Sequence, residues 1–273
     1  MTEKIKALVL TGYGINTERE MALACNLAGA EAKIIHIRQL MRGEIHLDEQ
    51  HLLVFPGGFS FGDELGAAKA FANRLEFAST DEKGSFKEKL LDFVGAGKCI
   101  LAVCNGFQLL VKLGVLPDGS QQKMTLTHNE NGRFENRWVQ HRIHSKKCVF
   151  TKGLDHLYLP VRHGEGNFFC PDKNLLQTLF NEQQIALQYA NKDGELSNTY
   201  PNNPNGSMNS VAGICDATGR ILGMMAHPEG ALFPQNHPHW SRQKWSDKKM
   251  PEDGEGMALF KNAIHYLRER FAA

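Results

Sequence analysis

The stretch CILAVCNGFQ, residues 99–108, decides the fold of this chain. Its first five residues form a short apolar run that includes the β-branched Ile100 and Val103, which predicts a buried strand. Asn105 and Gly106 supply a sharp turn, and a helix is predicted from Phe107 onward. A thiol at such a strand-to-helix turn stands clear of the sheet beside a helix N-terminus, which favours the thiolate. Cys104 is therefore a candidate nucleophile, although an inert cysteine buried in the core is the equally weighted alternative.

A second buried strand is predicted to end at two consecutive glycines. The sequence LVFPGG occupies residues 53–58. Because Gly57 and Gly58 have no side chains, their backbone N–H groups can approach a ligand closely, as an oxyanion hole requires. The alternative interpretation is an ordinary glycine turn after a strand, since a lone pair of glycines is weak evidence for a site.

A third apolar run ends at a histidine and a carboxylate. Residues 221–229 read ILGMMAHPE, and Pro228 fixes the backbone so that His227 and Glu229 can share one strand end. Alone, this pattern also fits a strand-end histidine beside an unrelated, solvated glutamate. Together with Cys104 it predicts the nucleophile, base and orienting group of covalent acyl transfer.

These segments resemble those of the class I, or triad-type, glutamine amidotransferases. The shared motifs are Pro-Gly-Gly, Cys-x-Gly-x-Gln and His-Pro-Glu. Other segments resemble the glutaminase subunits of phosphoribosylformylglycinamidine synthases: NTERE at 16–20, PGGFSFGD at 56–63, RFENRW at 133–138, HGEG at 163–166 and YPNNPNGS at 200–207. Two positions depart from the pattern. Ala102 stands where glycine commonly precedes the nucleophile by two residues, and Gly230 stands where arginine commonly follows the glutamate.

The resemblance implies a glutaminase with defined residue roles. Cys104 would attack the side-chain amide of glutamine, His227 would transfer protons, and Glu229 would hold the imidazole. Two backbone N–H groups, one from the Gly-Gly turn and one after the nucleophile, would stabilise the oxyanion. The oxyanion and glutamine-binding residues that the resemblance implies are Gly57, Gly58, Asn105, Gln108, His163 and Gly164.

The resemblance also implies a second active site on a partner chain, because ammonia released into the cytosol would be protonated and lost. The sequence has no G-x-x-x-x-G-K-[ST] loop for ATP. No cofactor is therefore expected in this chain, and ATP and Mg are expected on a partner synthetase that converts formylglycinamide ribonucleotide to formylglycinamidine ribonucleotide. A small bridging subunit occurs in some such assemblies. The alternatives are a different synthetase, a non-catalytic regulatory subunit, or a DJ-1-like stress protein.

Composition narrows the class of protein. The 273 residues carry a formal net charge of +1, which indicates no electrostatic footprint for nucleic acid or an anionic membrane. No segment has the apolar length of a membrane span. The six cysteines form no Cys-x-x-Cys pair, and several lie in apolar runs. This usage favours reduced thiols and a cytoplasmic location.

Alternation of strands and helices predicts the architecture. Strands are predicted at 6–10, 32–37, 52–55 and 99–103, with helices between them. Thr17 with Glu20, and Ser85 with Glu88, match the capping-box pattern for two of these helices. The alternation predicts an α/β fold whose open, mostly parallel central sheet is covered by helices on both faces.

The second half of the chain is predicted to extend this sheet with mixed strands. Short strand candidates lie at 137–150, 157–161, 185–189, 210–215 and 220–226, and residues 256–271 predict a closing amphipathic helix. We expect residues 1–273 to form one domain with a loop excursion at 231–254. His237 and His239 in that excursion match no zinc-binding spacing, so an ordered surface loop is favoured.

Overall fold

The computed structural model describes residues 4–77, 84–246 and 250–272. The strands are β1 Lys6–Thr11, β2 Glu31–His36, β3 Leu52–Phe55, β4 Cys99–Val103, β5 Thr125–Thr127, β6 Glu135–Ile143, β7 His156–His163, β8 Asn167–Phe169, β9 Ile185–Ala190, β10 Val211–Cys215 and β11 Ile221–Met224. The α-helices are α1 Glu18–Leu27, α2 Ile37–Met41, α3 Lys69–Glu76, α4 Phe86–Gly95, α5 Asn105–Lys112, α6 Lys173–Asn181, α7 Trp240–Ser246 and α8 Met257–Phe271.

The strands of the described residues form one large sheet and one small sheet. The large sheet has nine strands in the order β2-β1-β3-β4-β11-β10-β9-β6-β7. The pairs from β2 to β11 are parallel, and the pairs from β11 to β7 are antiparallel. The small sheet pairs β5 with β8. The predicted α/β fold, a parallel sheet with a mixed extension, is confirmed.

The central strands are buried on both sides of the sheet. Every residue of β3 and β4 is buried, which requires cover on both faces because successive side chains point in opposite directions. The cover comes from two groups of helices: α1 contacts α8, whereas α3 contacts both α4 and α5. The predicted helices on both faces follow from this arrangement.

One of the two predicted capping boxes forms. The Glu88 N–H donates to Ser85 Oγ at 3.2 Å, and the Ser85 N–H donates to the Glu88 carboxylate at 2.7 Å. At the start of α1 the prediction is wrong, because Thr17 has a left-handed backbone (φ 65°) and makes no side-chain cap bond. A capping side chain reaches the helix N–H groups from an extended backbone, which Thr17 does not have.

The excursion at 231–254 contains a 3₁₀ turn, Pro234–Asn236, and helix α7. The His237 ring lies on the outer strands, with its centroid 5.9 Å from Trp138 and 5.3 Å from Tyr158. No cluster of three or more metal-ligating side chains occurs in the described ranges. Among the same residues, no helix is long and apolar enough to cross a membrane.

The adjacent strands β3, β4 and β11 are parallel, so their carboxyl ends meet at one edge of the sheet. In open α/β sheets, ligands bind at this edge. The three sequence motifs follow these three strands directly. The topology therefore brings together segments that are far apart in the sequence.

Candidate active site

Cys104 occupies the turn between β4 and α5. Its backbone is in an unusual region (φ 50°, ψ −104°), and its N–H donates to the Met224 carbonyl at 2.8 Å. A side chain at Gly106 would place its Cβ 2.2 Å from the Phe55 carbonyl oxygen, so the turn requires glycine there. Cys104 is 5 % exposed, and its Sγ lies 3.6 Å from the Arg162 carbonyl oxygen. The sequence thus folds into the predicted strand-to-helix turn, and the cysteine at that turn is buried.

His227 and Glu229 form a buried pair just beyond β11. The His227 Nδ1–H donates to Glu229 Oε1 at 2.6 Å, and the His227 backbone N–H donates to the Pro160 carbonyl at 2.8 Å. Burial lowers the pKa of His227, but the charges of Glu229 and Cys104 outweigh burial and raise it from 6.5 to about 10. This environment stabilises an imidazolium.

The other imidazole nitrogen is available for chemistry. Within the described residues, His227 Nε2 is buried and makes no hydrogen bond of ordinary geometry. The Cys104 thiol is nevertheless close enough to contribute to the raised pKa of His227. The three side chains are therefore arranged in the order thiol, imidazole, carboxylate.

Gly57 completes the contact between the strand ends. A Cβ added at Gly57 would lie 2.8 Å from His227 Cε1 and 3.5 Å from Cys104 Cβ. The Gly57 Cα therefore lies directly beside the nucleophile and its base. The Gly57 carbonyl oxygen accepts a bond from the Asn16 N–H at 3.0 Å. Because the groups of a trans peptide point in opposite directions, the Gly58 N–H is directed away from Asn16.

The two predicted oxyanion donors, the backbone N–H groups of Gly58 and Asn105, have no hydrogen-bond acceptor among the described residues. Gly58 has φ 132°, and an added Cβ would lie 2.3 Å from the Gly14 carbonyl oxygen. The Asn105 side chain accepts a bond from the Ser60 N–H at 3.3 Å, which joins the helix to the glycine loop.

Gln108 lies on the first turn of α5 and is buried. Its side-chain oxygen, Oε1, accepts a hydrogen bond from Asn105 Nδ2 at 3.1 Å, and its Nε2 donates to the backbone carbonyl oxygen of Glu165 at 2.5 Å. Both ends of the amide therefore have protein partners. The arrangement connects the nucleophile helix to the HGEG segment, and the role of Gln108 in glutamine binding stays a prediction.

His163 lies next to His227. Burial and the neighbouring His227 lower the pKa of His163 to about 3, so its imidazole is neutral. Its Nδ1 lies 3.1 Å from Asn129 Oδ1, and its Nε2 lies 3.3 Å from Asn205 Nδ2. The side chain of His163 is thus held between Asn129 and Asn205. Gly164 is half-buried, and a Cβ there would meet only Phe134 within 4 Å, at 3.9 Å.

Asn129 is a residue that the sequence reasoning missed. Its Nδ2 donates to the carbonyl oxygens of Arg133 and His163, both at 2.8 Å, and its Oδ1 accepts from the Gly166 N–H at 3.0 Å. It therefore holds the HGEG segment against the preceding loop. No local motif marks it, because its partners His163 and Gly166 are distant in sequence. Asn205, in contrast, lies within the quoted YPNNPNGS segment but had no assigned role.

Comparison with known proteins places the chain in a family. Residues 4–267 match the model of the CobB/CobQ-like glutamine amidotransferase domain. The chain is 40 % identical over 274 residues to phosphoribosylformylglycinamidine synthase subunit PurQ of Methanococcus maripaludis, covering 97 % of this chain and 98 % of that one. It is 42 % identical over 282 residues to the subunit of the same name from Treponema denticola, covering 97 % and 99 % of the two chains.

Solved structures show the same fold at lower identity. A chain of the PurLQS structure from Thermotoga maritima matches with a TM-score of 0.70 and 24 % identity, covering 97 % of this chain and all of that one. A glutamine amidotransferase of Thermotoga maritima matches with a TM-score of 0.51 and 14 % identity, covering 99 % of both chains. The chain therefore belongs to the CobB/CobQ-like glutamine amidotransferase family, within the group of PurQ subunits of phosphoribosylformylglycinamidine synthase.

Proposed function

We propose that this chain is a glutaminase subunit that hydrolyses glutamine to glutamate and ammonia and passes the ammonia to a synthetase. The observation that carries the proposal is the meeting of Cys104, the pair of His227 and Glu229, and the Gly57–Gly58 turn at three adjacent strand ends. These are the nucleophile, base, orienting group and oxyanion donors of acyl transfer. Residues 1–273 act as one glutaminase domain.

The reaction begins from a thiolate beside an imidazolium. His227 takes the proton of Cys104 at Nε2, and Glu229 stabilises the resulting positive charge through Nδ1. The raised pKa of His227 favours this form at neutral pH. The thiolate then attacks the side-chain amide carbon of glutamine, and the amide oxygen becomes an oxyanion.

The tetrahedral intermediate then breaks down. The free N–H groups of Gly58 and Asn105 stabilise the oxyanion, and the loss of one such donor typically lowers turnover about 10²–10³-fold. His227 gives its proton to the departing amide nitrogen, which leaves as ammonia and produces a thioester on Cys104. Neutral His227 next removes a proton from water, whose hydroxide attacks the thioester, releases glutamate and regenerates the thiolate. These steps need no cofactor.

The acceptor follows from the family. Relatives named phosphoribosylformylglycinamidine synthase subunit PurQ cover nearly the whole chain. We infer that the ammonia serves a synthetase that uses ATP and Mg to convert formylglycinamide ribonucleotide to formylglycinamidine ribonucleotide in purine synthesis. A small bridging subunit belongs to the same proposal as an optional component. Six free, buried cysteines support a reducing, cytoplasmic location.

The test separates the two half-reactions of the complex. Cys104→Ala in the complex with the synthetase should abolish glutamine-dependent synthesis and leave ammonia-dependent synthesis intact, because only the thioester route is lost. A variant that keeps glutamine-dependent synthesis would exclude Cys104 as the nucleophile. A wild-type complex that uses ammonia but never glutamine would instead indicate a non-catalytic regulatory subunit, and synthesis with another acceptor would indicate a different synthetase.

Covalent labelling provides an independent test of the nucleophile. A glutamine analogue with an electrophilic carbon should label Cys104 and none of the other five cysteines, because only Cys104 lies at the strand-to-helix turn beside His227. Burial raises the pKa of Cys25 to about 12, for example, which suppresses its reactivity. Peptide mapping that finds the label chiefly on Cys25 or Cys148 would contradict the assignment.

A further inference from the structure

The loop between β3 and α3, residues 56–68, begins with the two oxyanion glycines and ends in an unusual pair of contacts. The Ala67 N–H donates to Glu165 Oε2 at 3.0 Å, and the Ala67 carbonyl oxygen accepts a bond from Lys112 Nζ at 2.6 Å. Both backbone groups of one residue are thus held by charged side chains. Glu165 belongs to the HGEG segment, and Lys112 is the last residue of the nucleophile helix α5.

These charged side chains lie in a poorly solvated environment. Glu165 is only 7 % exposed. Burial lowers the pKa of Lys112, whereas the charge of Glu165 acts in the opposite direction. Burial and the charge of Glu165 both raise the pKa of Asp63, which lies in the same loop. Buried charges are costly unless they are paired and hydrogen-bonded, so the two bonds to Ala67 indicate a specific role.

The same loop contains strained backbone. Phe61 (φ 61°) and Ala68 (φ 59°) are left-handed although neither is glycine. Such conformations persist only where the surrounding structure holds them, and they cluster at functional sites. Ala68 immediately follows the residue that Glu165 and Lys112 bind. The two side chains therefore hold the loop at the point where its backbone is strained.

The held loop is connected to the catalytic turn by two further contacts. The Ser60 N–H donates to the Asn105 side chain at 3.3 Å, and Gln108 Nε2 donates to the Glu165 backbone oxygen at 2.5 Å. Lys112 and Asn105 are the last and first residues of α5, so this helix holds both halves of the loop. A change at Ala67 can therefore be transmitted to the Gly58 N–H.

We propose that Glu165 and Lys112 are positioning residues that fix the 56–68 loop so that the Gly58 N–H stabilises the oxyanion. The proposal rests on the proposed glutaminase function. Since neither side chain is required to touch glutamine, their loss should lower kcat and leave KM nearly unchanged. A misplacement of about 1 Å at a reacting centre can lower turnover about 10²-fold.

The experiment compares three variants in the complex with the synthetase. Glu165→Ala removes the acceptor for the Ala67 N–H, Glu165→Gln keeps an acceptor oxygen without the charge, and Lys112→Met removes the donor to the Ala67 carbonyl. We expect Glu165→Ala and Lys112→Met to lower the glutaminase kcat about 10–100-fold, and Glu165→Gln to recover most of this loss. Lys69→Met is the matched control, because Lys69 is a neighbouring lysine whose charge lowers the pKa of Lys112 and whose side chain does not bond Ala67.

The outcomes are distinguishable. A rise in KM at constant kcat in the Glu165 variants would overturn the proposal and assign Glu165 to glutamine binding. Equal losses in Glu165→Ala and Glu165→Gln, or a loss in Lys69→Met as large as in Lys112→Met, would show that charge and not the bond to Ala67 matters. Intact ammonia-dependent synthesis and co-elution with the synthetase establish that each variant is folded. If the Cys104→Ala variant retained the glutaminase activity of the wild type, the proposed function itself would be wrong.

Discussion

Replacement of Gly57 by alanine tests the convergence of the three strand ends directly. An added Cβ would lie 2.8 Å from His227 Cε1, and only 3.5 Å from Cys104 Cβ. Gly57 does not have a left-handed backbone, so alanine introduces a contact without backbone strain. The substitution therefore places a methyl group in contact with both the nucleophile Cys104 and its base His227.

The magnitude follows from this contact. Carbon atoms pack best at a separation of about 3.5–4.0 Å, so the imidazole has to move by at least about 0.7 Å. The His227 backbone N–H is bonded to Pro160 and its Nδ1 to Glu229, so the ring cannot move without stretching these bonds. A displacement near 1 Å at the reacting groups costs about 10²-fold. We expect kcat to fall about 10–100-fold, which corresponds to about 1.4–2.7 kcal/mol.

The assay is steady-state release of glutamate by the complex with the synthetase, with ammonia-dependent synthesis measured in parallel. Gly95→Ala is a suitable control, because a Cβ at Gly95 in α4 has no neighbour within 4 Å. Gly95→Ala should leave both activities unchanged. A Gly57→Ala enzyme with kcat within twofold of wild type would refute the placement of His227 beside Gly57 during catalysis.

Three further predictions concern the triad and its control. His227→Ala should lose nearly as much turnover as Cys104→Ala, because the two residues act as a unit. Glu229→Gln should lose less turnover, because Glu229 transfers no proton. Full activity of Glu229→Gln at saturating glutamine would show that only Cys104 and His227 are required. The pKa of His227 is raised from 6.5 to about 10, so its contribution to stability is complete below pH 6.5 and lost as the pH rises toward 10. Chemical denaturation at a series of pH values should therefore show that the free energy of unfolding falls between pH 6.5 and pH 10, and that it falls more steeply for the wild type than for His227→Ala. Finally, glutaminase turnover should rise from the isolated chain to the complex, and again with ATP and acceptor, by about 5–150-fold; an isolated chain as fast as the loaded complex would contradict such coupling.

The coupling prediction has a structural counterpart in the glycine turn. The Asn16 N–H holds the Gly57 carbonyl at 3.0 Å, and this bond fixes the orientation of the peptide that carries the Gly58 N–H. Rotation of the peptide would require that bond to break. A partner that binds near residues 14–16 would therefore bias the orientation of the oxyanion donor.

The parts of this architecture that the sequence predicts are those encoded locally. The apolar runs before Gly57, Cys104 and His227 are short and bounded by turn residues, so both the strands and their ends can be located. Because the strands are parallel, their carboxyl ends lie at the same edge of the sheet, and this does not depend on the structure of the rest of the chain. The roles of the triad and of the glutamine-binding residues stay predictions until they are measured.

The parts that the sequence does not predict depend on contacts between distant segments. Asn129 gives no periodic or motif signal, because its side chain bonds three residues, Arg133, His163 and Gly166, two of which are distant in sequence. The capping pattern at Thr17 is locally correct, yet the neighbouring Asn16 is bonded to Gly57 and Thr17 adopts a left-handed backbone. Strand β5, Thr125–Thr127, has three residues, too few for an alternating pattern to be recognised.

The position of β11 in the sheet has a consequence for the synthesis of the protein. Among the described strands, β11 is the last to be synthesised, yet it lies between β4 and β10 in the middle of the sheet. At about 5–20 residues per second, the ribosome adds His227 roughly 6–25 s after Cys104. During that interval the nascent chain has a thiol without its base, and β4 has an open edge that β11 later covers. Nascent or truncated chains are therefore expected to be inert toward glutamine and prone to aggregation, so chaperone demand should be greatest just before residue 221 emerges.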